Sequence, residues 1–267
     1  MIITNTYGLL KTKYKDLIEK LEISEVLLGV HLSAVMLSDG SYGVAGTLTD
    51  SRLHPEKKER DFSAFTPSRI RGQKVIDLFE TTKKSATIDS LKIAVLNAIS
   101  AKTLSNSTYK ILEDTDPIDL INLDSQCTIT IVGGFRGYIQ KIAATRNKLH
   151  VLEIDEDVLS EEHKKFYVPA AQYESILPAS DIVIITGLTL VNNSIDGLLS
   201  SILPGTQVIV TGPSSSIIPD ILFENKVNII GATRIVKPEL LFPIVGEGGT
   251  GFHLFRYCAQ KICVLNE

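Results

Sequence analysis

Four short apolar segments in the second half of the chain each end on glycine, and this repeated pattern most constrains the fold. The segments are Thr128–Gly134, Asp181–Gly187, Gln207–Gly212 and Val227–Gly231. Short continuous valine and isoleucine runs are typical of parallel strands that are buried on both faces. A terminal glycine lets a ligand or another backbone segment approach where a Cβ atom would block it. Since ligands of open α/β sheets bind outside the carboxyl ends of the strands, the pattern predicts a parallel sheet with a ligand cleft at that edge.

The length of the chain and the order of its segments predict two domains. The chain has 267 residues, and a domain averages about 150 residues. The first part contains an expected helix to residue 22, a hairpin of residues 26–37 and 42–48 around the turn 38–41, a loop at 49–72, and a buried helix at 87–104 with Asp89 as its N-cap. Strands then alternate with helices, which is typical of a doubly wound sheet. We expect domains at residues 1–112 and 113–267.

Composition excludes several classes of partner. The 27 basic and 31 acidic residues give a net charge of −4, without a basic cluster, so nucleic acid is not an expected partner. No apolar run approaches the roughly 20 residues that a membrane span needs, and the first residues lack the order of a signal peptide. We therefore expect a cytoplasmic protein without a membrane partner. The three cysteines lack CxxC spacing and are expected to be buried free thiols.

A nucleotide-binding unit is suggested by the segment IVGGFRG at 131–137, which is followed by LHVLEID at 149–155. Glycines at a helix N-terminus favour an anion, and Glu153 or Asp155 at the end of the next strand would hold ribose hydroxyls. The spacing is GGxxG rather than GxGxxG, which leaves ligands resembling S-adenosylmethionine, other nucleotides and non-nucleotides open. Glycines that only turn the chain are an equal interpretation. The candidate residues are Gly133, Gly134, Gly137 and Glu153.

Polar side chains follow the next two strands. Asn192 is the preferred ligand candidate after the strand that ends at Thr186, since Ser194 has an alternative role as a helix cap. Three consecutive serines come after the following strand. One of them is enough to cap a helix, so the others are candidates to bind an oxyanion or a carboxylate. The candidates in these two segments are Thr186, Asn192, Ser194, Gly212, Ser214 and Ser215.

The segment GEGGTG at 246–251 is the most glycine-dense part of the chain. Such a loop can form a backbone nest for anions, but Glu247 points instead to a cation or a hydroxyl group. A flexible connector is the alternative interpretation. Gly249, Thr250 and Glu247 are candidates here, with Glu247 as the candidate metal ligand.

Histidine and cysteine spacing does not indicate a preformed zinc site, because HExxH, HxH and CxxC are all absent. His31 follows Gly29 in an apolar strand, where it either lines the cleft between the domains or is structural. The chain also lacks the GxSxG segment of a nucleophile elbow.

Several of these segments resemble a known bacterial and archaeal family that is described as heavy-metal chelation proteins. The resemblance rests on Gly212-Pro213-Ser214, on TGLTLVNNS at 186–194, and on LKIAVLNA at 91–98. It implies an α+β domain like the N-terminal domain of enolase, then a Rossmann-like domain, with a site in the cleft between them. The matching residues are Asn97, Gly133, Gly134, Thr186, Asn192, Ser194, Gly212, Pro213 and Ser214.

The leading hypothesis is a protein that takes a metal ion or a metal chelate in the interdomain cleft. Oxygen donors from Glu153, Glu247, Asn192 and Ser214 suit a hard cation or a chelate better than bare zinc. The alternative is an enzyme, such as a methyltransferase or lyase, that uses a nucleotide-like cofactor on a small anionic substrate. A third hypothesis is a non-catalytic assembly module. An exposed apolar face on the first sheet would allow a homo-oligomer.

Overall fold

The computed structural model describes residues 1–48 and 61–266. Residues 49–60 of the predicted loop at 49–72 therefore lie outside the described residues. The helices are α1 Ile2–Lys13, α2 Lys15–Ile18, α3 Val75–Glu80, α4 Ala86–Ser105, α5 Arg136–Ala143, α6 Tyr173–Ile176, α7 Leu188–Val191, α8 Ile195–Ser201, α9 Asp220–Glu224, α10 Leu241–Gly246 and α11 Gly251–Tyr257. The strands are β1 Ile23–Leu28, β2 Leu32–Leu37, β3 Tyr42–Gly46, β4 Lys110–Glu113, β5 Thr128–Val132, β6 Lys148–Glu153, β7 Tyr167–Pro169, β8 Ile182–Thr186, β9 Gln207–Thr211, β10 Val227–Ile235 and β11 Ala259–Leu265. No helix in these two ranges has the length and apolar character to cross a bilayer.

The larger sheet has eight strands in the order β4-β11-β10-β9-β8-β5-β6-β7. Strands β7, β6, β5, β8, β9 and β10 are parallel, whereas β11 is antiparallel to β10 and β4 is antiparallel to β11. Numbered along the chain, the parallel strands have the order 3-2-1-4-5-6 of a Rossmann-like doubly wound sheet. The predicted fold class is therefore confirmed. The strand order reverses between β5 and β8, which places a crevice outside their carboxyl ends.

Alternating side chains of the central strands supply two cores, one on each face of the large sheet. Ile131, Ile184 and Ile209 belong to the core that α5 covers, whereas Ile185 and Val210 face the core that continues into the N-terminal residues. Successive strand residues point to opposite faces, so unbroken apolar runs bury both sides of the sheet. This explains why the four segments contain so few polar residues.

The smaller sheet is antiparallel, in the order β1-β2-β3. The predicted hairpin around residues 38–41 is confirmed as β2 and β3. The prediction of one strand over 26–37 is wrong, because the chain turns at 29–31 and the Gly29 N–H donates to the Leu32 carbonyl over 2.9 Å. Helix α4 packs on β3 and begins one residue before the predicted helix. Its N-cap is Ser85, whose Oγ accepts from Ile88 N–H at 3.1 Å, and not Asp89.

The sequence patterns missed β4 and β7. Strand β4 crosses the predicted boundary at residues 112–113 and belongs to the large sheet through β11, while the boundary itself stays a prediction. Both strands are short edge strands, of four and three residues. An edge strand of this length carries too few apolar residues to produce a periodic signal.

Candidate functional site

A cavity of about 470 Å³ lies at the point where the strand order reverses, outside the carboxyl ends of β5 and β8. Its lining residues are Val132, Gly133, Gly134, Leu152, Glu153, Ile154, Ala170, Ala171, Tyr173, Thr186, Leu188, Thr189, Asn192, Asn193, Ser194, Gly197 and Leu198. Six of the residues singled out from the sequence meet here, namely Gly133, Gly134, Glu153, Thr186, Asn192 and Ser194. All lining residues lie between positions 132 and 198.

Glu153 is the one charged residue among the described residues that line this cavity. It is half-buried at the end of β6, and its Oε1 accepts from the Ile154 N–H over 2.7 Å. Its Oε2 lies on the Gly134 side, 3.6 Å from the position that a Cβ atom on Gly134 would take. The carboxylate therefore keeps acceptor capacity beside the turn between β5 and α5.

The glycines of this turn are needed for the path of the chain. Gly133 has a φ of +111°, and a Cβ on it would lie 3.0 Å from Thr186 Cγ2. A Cβ on Gly134 would lie 2.4 Å from Val158 Cγ1. Gly137 lies in the first turn of α5 with open space around it and does not line the cavity. The interpretation in which glycines turn the chain thus accounts for Gly133 and Gly134, although both also border the cavity.

The loop between α7 and α8 is organised by Asn192. Its Oδ1 accepts from the Ser194 N–H at 3.0 Å and from the Ser194 Oγ at 2.7 Å. The Ser194 hydroxyl is thereby engaged, and it forms no cap bond to α8. In the described part of the chain the Asn192 amide nitrogen has no hydrogen-bond partner, so it is available to a ligand. Asn193 follows in the left-handed region with a φ of +59°.

Apolar walls of the cavity were also missed from the sequence. Ala170, Ala171 and Tyr173 come from the segment after β7, and Leu198 comes from α8. No motif marks these residues, because they reach the cavity through the pairing of β7 with β6 and the packing of α6 on α8. Only a correct placement of β7 would have found them.

The serines after β9 hold the two halves of the chain together. Ser214 is buried, and its Oγ accepts from the Gly46 N–H of β3 at 2.8 Å. The Ser215 hydroxyl lies 2.6 Å from the carbonyl oxygens of both Gly212 and Gly231, so its one proton is donated between these two acceptors. These hydroxyls are satisfied within the protein, and neither residue lines the cavity at the strand-order reversal.

Asn97 belongs to the same junction. Its side chain is buried in α4, and Nδ2 donates to the carbonyl oxygens of Val44 at 2.7 Å and Pro213 at 3.2 Å. One amide therefore connects the helix, the small sheet and the loop after β9.

The glycine-dense segment forms a separate shallow concavity of about 300 Å³, which shares no lining residue with the larger cavity. Glu247 is exposed there, and a Cβ on Gly249 would lie 2.4 Å from Ile244 Cγ2. Thr250 caps α11, and its N–H donates to His253 Nδ1 at 3.1 Å. That bond places the imidazole proton on Nε2, so His253 offers no free lone pair beside Glu247.

His31 lies in the exposed turn between β1 and β2, so its prediction as a strand residue is wrong. The turn at Gly29 ends β1 before His31, whose carbonyl accepts from the Thr47 N–H over 3.0 Å. It does not line the larger cavity.

The donor groups do not fit a bare soft metal ion. Within residues 1–48 and 61–266 no three side chains of His, Cys, Asp or Glu form a group that could hold a metal. Burial raises the pKa of the Cys258 thiol to about 11 and that of Cys263 to about 12, which keeps both protonated. The cavity offers carboxylate, amide and hydroxyl oxygens, whereas soft metals prefer thiolate and imidazole.

We expect iodoacetamide at pH 8 to label Cys127 and to leave Cys258 and Cys263 unmodified in the folded protein. The thiolate is the reactive form, and the two raised pKa values combine with burial to suppress it. Peptide mass spectrometry should show one modified cysteine, and all three after unfolding in urea. Labelling of Cys258 or Cys263 without urea would contradict this assignment.

Comparison with solved structures gives full-length matches. A protein of unknown function from the DUF364 family of Pyrococcus horikoshii is 19% identical, with 100% of both chains covered and a TM-score of 0.79. A second DUF364 protein of unknown function, from Desulfitobacterium hafniense DCB-2, is 16% identical over 97% of this chain and 98% of that one, with a TM-score of 0.72. At these identities the likeness concerns the fold alone. A search of functionally curated proteins finds no match.

Two family models cover most of the sequence. The DUF4213 model matches residues 12–100 and the DUF364 model matches residues 116–264, and both carry the description "Putative heavy-metal chelation". The resemblance inferred from the residues is thus confirmed, and the chain belongs to the DUF364 family.

Proposed function

We propose that this protein binds a small organic ligand rich in hydrogen-bond donors, of the nucleoside type, in the cavity where the strand order reverses. The observation that carries the proposal is the position of Glu153, a half-buried carboxylate at the end of β6 beside the turn between β5 and α5. An acidic residue at this place in a doubly wound sheet is suited to a pair of ribose hydroxyls.

The walls of the cavity support a ligand with a flat apolar part. Leu152, Ala170, Ala171 and Leu198 contribute aliphatic surface. Ile154 follows Glu153 directly and leaves 81% of its surface exposed at the cavity. A base next to a ribose that is held by Glu153 would cover this side chain, which removes apolar surface from water.

The charge of the cavity argues against polyanionic ligands. No lysine or arginine is among the described lining residues, and Glu153 contributes one negative charge. A pyrophosphate or triphosphate would find no lysine or arginine among these residues to balance its negative charge. Adenosine and S-adenosylmethionine are therefore expected to bind more tightly than NAD or ATP.

A metal chelate with net positive charge is a second candidate. Glu153 would attract it, the amide and hydroxyl groups of Asn192 and Thr186 would contact its organic part, and the family description suggests metal handling. In this case the metal arrives inside its chelator, so the protein needs no thiolate or imidazole ligands of its own.

The test compares Glu153→Gln with Glu156→Gln, an exposed carboxylate three residues away that does not line the cavity. Adenosine, S-adenosylmethionine, NAD, ATP and a cationic cobalt-ammine complex are titrated by calorimetry and by thermal shift. A ligand at a hundred times its Kd should stabilise the protein by about 2.7 kcal/mol. Loss of the charged acceptor should weaken binding by about 1.5–3 kcal/mol, and Glu156→Gln should bind like the wild type.

Binding of adenosine or S-adenosylmethionine would support the nucleoside assignment, and binding of the cobalt complex alone would support the chelate. Failure of all five compounds, or equal binding by Glu153→Gln, would overturn the proposal.

A further inference from the structure

We propose a second ligand site, for a small oxyanion, between the two halves of the chain. A cavity of about 410 Å³ lies where the turn between β2 and β3 and the last part of α4 face the end of β10. Strand β10 continues past its last pairing with β9, which joins Gly231 to Thr211. The continuation at 232–235 forms one wall. The volume lies within the range of about 300–1,000 Å³ that is usual for small-molecule sites.

Two cations from different parts of the chain line this cavity. Lys102 comes from α4, and its Nζ contacts Asp39 Oδ2 at 3.0 Å. Arg234 comes from β10, and its Nη1 contacts Glu113 Oε1 at 2.5 Å and Gln260 Oε1 at 3.2 Å. With Asp39, the lining residues carry one net positive charge, which Glu113 balances from outside the lining through its ion pair with Arg234. The cavity that contains Glu153 is lined by a carboxylate and by no cation, so the two cavities suit ligands of different chemistry.

Arg234 retains unused donors. A guanidinium group has five N–H donors, and the side-chain hydrogen bonds of Arg234 within the described residues all involve Nη1. The Nε and Nη2 groups are thus available for a carboxylate or phosphate, which arginine binds with paired N–H groups.

A buried hydroxyl in the same wall also lacks a partner. Thr233 is 7% exposed, and its Oγ1 makes no hydrogen bond in the part of the chain that the structure describes. Its backbone N–H donates to Ser216 Oγ at 2.8 Å, so only the side chain is unpaired. Successive side chains of a strand point to opposite faces, so this hydroxyl lies on the face of β10 opposite to the Arg234 guanidinium, and the proposed site rests on Lys102 and Arg234.

The remaining lining favours an anion with an apolar body. Leu104, Ile235 and Ile262 lie beside the charged groups. We therefore assign the site to a small carboxylate or phosphate monoester. Because Lys102 and Arg234 come from the two parts of the chain, the bound anion connects these parts and raises the melting temperature.

The experiment uses the full chain with inorganic phosphate and benzoate as separate probes at constant ionic strength, followed by ligand-observed NMR titration and thermal shift. The wild type should show saturable binding of at least one probe. Arg234→Gln and Lys102→Gln should each weaken it by at least about tenfold. Arg256→Gln removes an exposed arginine outside the cavity and should stay within about twofold of the wild type, since its charge is screened by solvent.

Glu113→Gln distinguishes a loss of anion binding from a loss of protein stability. It removes the same ion pair that Arg234→Gln removes but leaves the guanidinium in place, so the probe should bind at least as tightly as to the wild type. Glu153→Gln should bind the probe normally, because that residue lines the other cavity. Saturation by benzoate alone assigns a carboxylate with an apolar body, and saturation by phosphate alone assigns a phosphate monoester. The absence of saturable binding, or an equal loss in Arg256→Gln, would overturn the proposal.

Discussion

Replacing Gly43 by alanine is expected to destabilise the protein by about 3 kcal/mol, at the upper end of the usual cost of overpacking. Gly43 lies in β3, where the small sheet contacts α4. An added Cβ would lie 2.0 Å from the Ala94 carbonyl oxygen and 2.5 Å from the Ala98 nitrogen. Both atoms belong to the helix backbone, which cannot rotate away as a flexible side chain can. The sheet and the helix must therefore separate.

Gly8→Ala is the matched control for this prediction. Gly8 lies inside α1 with no atom within 4 Å of the added Cβ. Alanine should stabilise the protein there by about 0.5–1 kcal/mol, because it reduces the freedom of the unfolded chain. Equilibrium unfolding in urea, monitored by circular dichroism, compares the two variants with the wild type. If Gly43→Ala lowers the free energy of unfolding by less than about 1 kcal/mol, α4 moves away from β3 more easily than is expected of a close-packed core.

Asn97→Leu is expected to destabilise the protein by about 2–4 kcal/mol, since it removes hydrogen bonds to two carbonyl oxygens and each buried acceptor left unpaired costs about 1–3 kcal/mol. The acceptors are the carbonyl oxygens of Val44, in β3 of the small sheet, and of Pro213, in the segment after β9 of the large sheet. Leucine has nearly the same size as asparagine but cannot donate a hydrogen bond. The decrease in the free energy of unfolding therefore measures how much the two hydrogen bonds of Asn97 contribute to stability.

Asn5→Leu, on the exposed side of α1, controls for the change of residue type and should lie within about 0.5 kcal/mol of the wild type. Urea unfolding supplies the free energies, and hydrogen exchange of β3 and α4 amides should quicken in Asn97→Leu. An unchanged midpoint in Asn97→Leu would mean that the two carbonyl groups find other donors.

The parallel strands were predictable because their signal is local. An unbroken Val/Ile run such as Thr128–Val132 or Ile182–Thr186 reveals a strand that is buried on both faces, whatever lies beside it. Glu153 was likewise predictable, since the residue at the end of the second strand of such a sheet has a fixed place next to the first turn. In contrast, β4 and β7 form only because neighbouring strands supply their hydrogen bonds.

The roles of polar and glycine residues could not be read from the sequence to the same extent. Ser214 and Ser215 have the residue type and position of an anion site, but their hydroxyls pair with β3 and with carbonyl groups of the large sheet. A serine is equally suited to a ligand and to a backbone partner, and the choice depends on which groups come within about 3 Å of it.

The doubly wound sheet, the edge at which the candidate cavity lies and six residues of its lining were predictable from the amino-acid sequence alone. These follow from side-chain periodicity and from glycines at strand ends, which act over a few neighbouring residues. Three features depend on the packing of distant elements: Asn97 and Ser214 join the two parts of the chain, Glu247 lies apart from the main cavity, and Lys102 and Arg234 line one second cavity. Contacts between residues more than a hundred positions apart depend on how the small sheet packs against the large one, and no local pattern carries that information.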